Sequence, residues 1–244
     1  MSVLGVTGTS TGVGKTIVTA AVAALCPDVV TVLKPAQTGL PLNAPGDVDE
    51  VKRLVPHVET MELARYPEPL APAAAARRSG IPTVSPAEVV EGIEEADADL
   101  VLMEGAGGLL VRFSDDPVIT FADLLVEVQA PAILVTTAGL GTLNHTALTL
   151  EAMHQRGIEC AGLIIGAWPE SPDLASVTNL HDLQLLAGAP LAILNLIPLY
   201  SGGLCDAVSI IAPSRPSVRT RKSTVGVGVR PVSIISKEAF VRIS

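Results

Sequence analysis

The stretch Val6-Thr7-Gly8-Thr9-Ser10-Thr11-Gly12-Val13-Gly14-Lys15-Thr16 constrains this chain more than any other. The apolar run Ser2 to Val6 leads into it, and an Ala/Val-rich segment, Ile17 to Leu25, follows. Strand, glycine-rich turn and helix in that order are the context a phosphate-binding loop needs. Glycine lets successive backbone N–H groups turn inward, and the helix N-terminus adds its positive dipole end. Gly12, Val13, Gly14, Lys15, Thr16 and Ile17 are therefore the expected nucleotide cradle. Lys15 reaches for the β- and γ-phosphates, and the Thr16 hydroxyl is placed to ligate Mg²⁺. Gly8 and Gly14 are one residue further apart than in the common pattern. An accidental Gly-Lys-Thr in a turn is the bland alternative; the agreement of strand, loop and helix argues against it.

Further apolar runs at 29–33, 100–103, 132–136, 162–166 and 191–197 alternate with helical patterns at 47–54, 73–79, 86–96, 121–128, 144–156 and 172–187. This alternation predicts an α/β fold, a mainly parallel sheet with helices on both faces, of the P-loop nucleoside triphosphate hydrolase type. Ser85-Pro86-Ala87-Glu88 and Thr120 read as helix starts, and Thr142 or Asn144 as the cap of the helix that follows them. His145, on that helix's first turn, reads as structural or exposed.

Two strands end in charged residues. Lys34 closes the second strand and is either a cation aimed at substrate and γ-phosphate or a solvated lysine opening a loop. Glu104 closes the 100–103 run ahead of Gly105-Ala106-Gly107-Gly108; a carboxylate there is either a Mg²⁺ contact or an exposed turn residue. Asp47-Val48-Asp49-Glu50 is an acidic helix start, suited to capping and also able to supply a carboxylate to a metal ion.

Composition narrows the class. A formal charge of −9 and 2% aromatic residues argue against nucleic-acid binding by phosphate contact or base stacking. No run approaches the ~20 apolar residues of a membrane span. Cys26, Cys160 and Cys205 have no metal-like spacing and point to a reducing cytoplasm. Residues 201–244 carry seven basic and two acidic residues, unlike the acidic part before them. Residues 1–198 are thus expected to form the P-loop domain. Residues 199–244 form an atypical basic tail: a loosely attached segment, or the product of an altered reading frame.

Four segments together resemble dethiobiotin synthetases: Gly8 to Thr16, Lys34-Pro35-Ala36-Gln37-Thr38-Gly39, Glu104-Gly105-Ala106-Gly107-Gly108, and Gly141-Thr142-Leu143-Asn144-His145-Thr146. Their order and spacing match the family as far as about residue 198. The resemblance implies a cytoplasmic ligase of biotin biosynthesis that uses ATP, Mg²⁺ and CO₂ or bicarbonate to close a cyclic urea on 7,8-diaminononanoate. The route it implies runs through a carbamate and a carbamic-phosphoric anhydride. By resemblance Lys34, Lys15 and Thr11 are catalytic, and Thr16, Asp47 and Glu104 hold Mg²⁺, with Asp49 as the alternative to Asp47. Gly105, Ala106 and Gly107 line the nucleotide loop, Gly166 and Ala167 the adenine, and Pro198 a further ATP contact. Thr38 and Gly107 bind substrate, and Leu143 and Asn144 reach it from the other subunit of a homodimer. The family often has Asn where Ala167 stands, and Pro198-Leu199-Tyr200-Ser201 departs from its usual continuation.

Two other readings share the loop. A cobyrinate-type amide synthetase needs a glutaminase domain, for which Cys205 has no context. A partitioning-type ATPase switch carries a lysine early in the loop, where this chain has Thr9 and Ser10.

Overall fold

Strands that are apolar on both sides must be covered on both sides, and the sequence supplies helices enough to do it. The computed structural model describes residues 1–188 and the backbone of 191–194 and 208–211. In chain order the elements are β1 (Ser2–Gly8), α1 (Lys15–Leu25), β2 (Val30–Lys34), β3 (Gln37–Thr38), α2 (Asp47–Leu54), β4 (Glu59–Glu62), β5 (Arg65–Tyr66), α3 (Pro72–Ser79), α4 (Pro86–Glu94), β6 (Leu100–Glu104), β7 (Arg112–Asp115), β8 (Val118–Thr120), α5 (Phe121–Glu127), β9 (Ala132–Thr136), α6 (Thr142–Gln155), β10 (Cys160–Ile165), α7 (Leu174–Ala187), β11 (Leu191–Leu194) and β12 (Val208–Ile211).

Eight strands make one sheet in the order β12-β11-β10-β9-β1-β6-β2-β4. Every pairing in it is parallel except β11 with β12. The period-2 alternation of a strand divides its side chains between two cores. Leu4, Val6, Leu100 and Leu102 pack with Val18 and Ala21 of α1 and Val51 of α2. Val101, Met103, Leu134 and Leu163 face the opposite way, onto α3 to α7. Gly5 serves the second face: a Cβ there would lie 2.3 Å from Leu125 Cδ2, so its absence lets α5 seat on β1.

Register positions the site. β1 lies between β6 and β9, with Val6 opposite Glu104 and Gly8 opposite Val135. Leu33 stands opposite Met103, which brings Lys34 level with Glu104. The strand order changes direction around β1, the place where open α/β sheets bind ligands.

The structure departs from the sequence reading at several points; β12, antiparallel to β11, lies in the span read as a tail, and β3 and β5 pair where loops were read. β4 was not expected: Glu59-Thr60-Met61-Glu62 has no apolar run, because it is an edge strand with one neighbour. The hairpin of β7 and β8 was also missed; in β7 only Phe113 and Ser114 are buried. Neither Thr142 nor Asn144 caps α6. Its N-cap is Gly141, left-handed at φ 94°, and the Thr142 hydroxyl donates instead to the Thr137 carbonyl at 2.7 Å. The strand expected over 191–197 is described to Leu194; Pro198, Cys205 and most of the basic tail lie outside the described residues.

Candidate active site

The loop after β1 owes its shape to residues without side chains. Gly12 and Gly14 are left-handed, at φ 73° and 96°, and Gly14 is the N-cap of α1. The loop is wedged against the end of β10, where a Cβ on Gly166 would lie 2.0 Å from the Val13 carbonyl oxygen. Gly166 thus has a packing role that sequence reasoning missed. Lys15 is folded back over the loop and donates to the Ser10 carbonyl at 3.1 Å. Burial, and then the positive charge of Lys34, lower its pKa to about 8, although Glu104 and Asp47 pull the other way.

The tips of β2, β6 and α2 converge beside that lysine. Glu104, 1% exposed, accepts from Lys34 Nζ at 2.8 Å and from the Thr16 hydroxyl at 3.0 Å, both on Oε1. Its Oε2 lies 2.8 Å from the Thr19 hydroxyl, whose single proton is shared with the Lys15 carbonyl. Lys34 Nζ also donates to the Gly105 carbonyl at 3.1 Å and pairs with Asp47 Oδ2 at 2.6 Å. Burial alone would lower the Lys34 pKa, but Glu104 and then Asp47 outweigh it, and the ammonium is held above its ordinary value. Neither of the bland readings survives: Lys34 and Glu104 are both buried, and each is the other's counter-ion.

Asp47 and Asp49 part company here. Asp49 Oδ2 accepts from the Gly46 amide at 2.7 Å, as the cap of α2. Asp47 is free of that duty, and its amide is fixed by Gln37 Oε1 at 2.9 Å. Sequence reasoning passed over both Gln37 and Thr19. Thr19 carried a faint signal, as a polar residue on the apolar side of α1; Gln37 carried none. Among the described residues no group of three or more His, Cys, Asp or Glu could hold a metal by itself. Two carboxylates and a hydroxyl are hard oxygen donors, a set that suits Mg²⁺ when phosphates complete its shell.

The remaining expected residues lie around this cluster. Thr11 and Gly107 line an open cleft of about 450 Å³ with Leu109, Leu110, Val111, Leu148 and Ala152. Ala106 packs on the larger core. Ile17 lies on the other face, against the core under α1. Thr38 is in β3, paired with Tyr66, outside the ion-pair cluster. Ala167 lines a second cleft with Thr137, Trp168 and Pro169. Leu143 and Asn144 lie in the first turn of α6: Leu143 leans on the core, whereas Asn144 is exposed. A buried set of hydroxyls ties the end of β9 to α6, Thr136 contacting Thr142 at 2.7 Å and Thr146 at 2.9 Å.

Known proteins match this chain at two levels, sequence and fold. The AAA domain family model AAA_26 covers residues 2–193. An ATP-dependent dethiobiotin synthetase of Saccharopolyspora erythraea is 59% identical over 193 residues, 78% of this chain and 85% of that relative. Its counterpart in Streptomyces avermitilis is 57% identical over 207 residues, 83% of this chain and 86% of the relative. Among solved structures, the cell division ATPase MinD of Pyrococcus furiosus aligns with a TM-score of 0.50 at 16% identity, over 84% of this chain and 90% of that one. The last is a likeness of fold alone.

Proposed function

The chain belongs to the ATP-dependent dethiobiotin synthetase family, and from that premise we propose how its residues carry out the ATP-driven ligation. One amine of 7,8-diaminononanoate takes up CO₂ as a carbamate. A carbamate oxygen attacks the γ-phosphorus of ATP, the bond to the β-phosphate oxygen breaks, and ADP leaves. The second amine attacks the carbonyl carbon of the resulting carbamic-phosphoric anhydride. The C–O bond to phosphate breaks, the amine loses a proton, and the cyclic urea closes.

The substrate brings its own nucleophiles, so the protein's task is placement and charge stabilisation. Lys15 holds the β/γ-phosphates, and Lys34 neutralises the carbamate and the charge that develops on the transferring group. Thr11 and Gly107 sit at the mouth of the cleft where the diamine would lie, and its apolar wall suits an alkyl chain. Thr38 reaches the substrate, while Gly166 and Ala167 contact the nucleotide. Thr16, Asp47 and Glu104 would hold Mg²⁺, which supplies charge neutralisation between the phosphates. The observation that carries this reading is Lys34 itself, buried between Glu104 at 2.8 Å and Asp47 at 2.6 Å, at the open end of the phosphate loop.

Two further parts belong to the proposal. The enzyme works as a homodimer in which Leu143 and Asn144 complete the neighbour's substrate site, and its need for ATP puts it in the cytoplasm. A partitioning-type switch is not favoured, because Thr9 and Ser10 stand where that class carries its lysine.

Lys34→Ala should abolish dethiobiotin formation from diamine, bicarbonate and ATP, followed by mass spectrometry, while nucleotide affinity changes little. Unchanged turnover in the variant would remove Lys34 from the reaction.

A further inference from the structure

Asp47 reaches Lys34 from the first turn of α2, and the loop that delivers it, residues 39–46, has little regular structure. What holds it is Arg65 of β5. Its Nε donates to Glu62 Oε1 at 2.6 Å and its Nη2 to Glu62 Oε2 at 2.8 Å, a two-pronged pair whose side chains are 14% and 15% exposed. The third nitrogen, Nη1, donates to the carbonyls of Pro41 and Leu42, each at 3.4 Å, and to that of Ala44. Nη2 also lies 3.8 Å from Asp49 Oδ2. A Cβ on Gly46 would sit 2.8 Å from Arg65 Nη2 and 3.0 Å from Gln37 Oε1. The loop's last residue therefore has no side chain to hold these two away from the start of α2.

We propose that Arg65, braced by Glu62, is a positioning residue for Asp47: it clamps the 41–46 loop so that the Asp47 carboxylate meets the divalent cation that accompanies the nucleotide. Its contacts to the loop are with backbone carbonyls, and it acts through them. The inference rests on the reading of Asp47 as a metal-binding carboxylate. A lysine cannot replace Arg65, because only a planar guanidinium grips a carboxylate with two nitrogens and still offers a third to the carbonyls.

The test compares a fluorescent ADP analogue binding in EDTA and in excess Mg²⁺, for the wild-type protein, Arg65→Ala, Arg65→Lys, Asp47→Asn and the double variant Arg65→Ala/Asp47→Asn. Both Arg65 variants should lose roughly tenfold in affinity with Mg²⁺, the scale on which outer partners of metal ligands act, and less than about twofold in EDTA. The double variant should be no weaker than Asp47→Asn alone, since the two act on one term. Hydrogen exchange of the ligand-free protein should show faster amides at 41–47 in Arg65→Ala. Equal losses with and without Mg²⁺, or additive losses in the double variant, would overturn the proposal. Where Arg65→Ala fails to fold, Glu62→Gln takes its place and the same two results decide. A wild-type protein that made no dethiobiotin would refute the functional reading, yet the Mg²⁺ comparison would still settle the clamp.

Discussion

At the scale of single residues, the two lysines end up shifted in opposite directions although Glu104 and Asp47 favour the charged form of both: burial and the charge of Lys34 prevail at Lys15, the two carboxylates at Lys34. Lys34 has two carboxylates within hydrogen-bond reach and stays charged. Among the described residues Lys15 has the Ser10 carbonyl as its one hydrogen-bond partner, and its pKa of about 8 lies below the 10.5 of a free lysine. The folded protein then binds fewer protons than the unfolded chain between those values, so stability from this group rises with pH across that window. Nucleotide binding has the opposite sign. Phosphates favour the charged lysine, so binding above pH 8 must take up a proton and affinity should fall as pH rises through about 8. Calorimetry in buffers of differing ionisation enthalpy should show nearly one proton taken up at pH 9 and little from Lys15 at pH 7; Lys15→Arg should remove the difference. Much of this site was legible beforehand, because a lysine or a glutamate ending an apolar strand is costly without a partner, and that cost is visible in one dimension. The packing role of Gly166 and the positioning roles of Gln37 and Arg65 were not legible. Each acts through a backbone group brought near only by the fold, and no local pattern records that.

Among the elements, the helices were legible with or without side-chain caps; what a cap adds is the starting residue, which Ser85 and Thr120 announce and Gly141 does not. α4 has the reciprocal pair expected of Ser85 and Glu88: the Glu88 amide donates to Ser85 Oγ at 3.2 Å, and the Ser85 amide to Glu88 Oε2 at 2.8 Å. Ser85→Ala should cost about 1 kcal/mol of unfolding free energy, measured by chemical denaturation. Thr120 caps α5 in the same way. α6 begins at a bare left-handed glycine, whose conformation the sequence does not announce. The buried strands of the main sheet were legible as apolar runs, since they need both faces covered. β4, β7 and β8 were lost because they lie at an edge or in a small hairpin, where polar and apolar residues share the strand without a clear period.

For the whole molecule, a shared active site has a consequence that needs no second structure. If Asn144 serves the neighbour's site, Lys34→Ala and Asn144→Ala proteins, each impaired alone, should complement when mixed. Random exchange makes half the dimers mixed, each with one intact site, so roughly a quarter of wild-type turnover at limiting diamine is expected. No recovery on mixing would place both residues in one subunit's site. A different consequence follows from the outermost strand next to β2. Its glutamates, Glu59 and Glu62, made it hard to recognise as a strand, and Glu59 is held by Lys52 at 3.3 Å. Glu59, 75% exposed at its side chain, sits along a strand that pairs with no further strand among the described residues, a row of backbone groups that would otherwise recruit any extended peptide nearby. What hides this border from a reader of the sequence also keeps neighbouring molecules in a crowded solution from stitching themselves onto it.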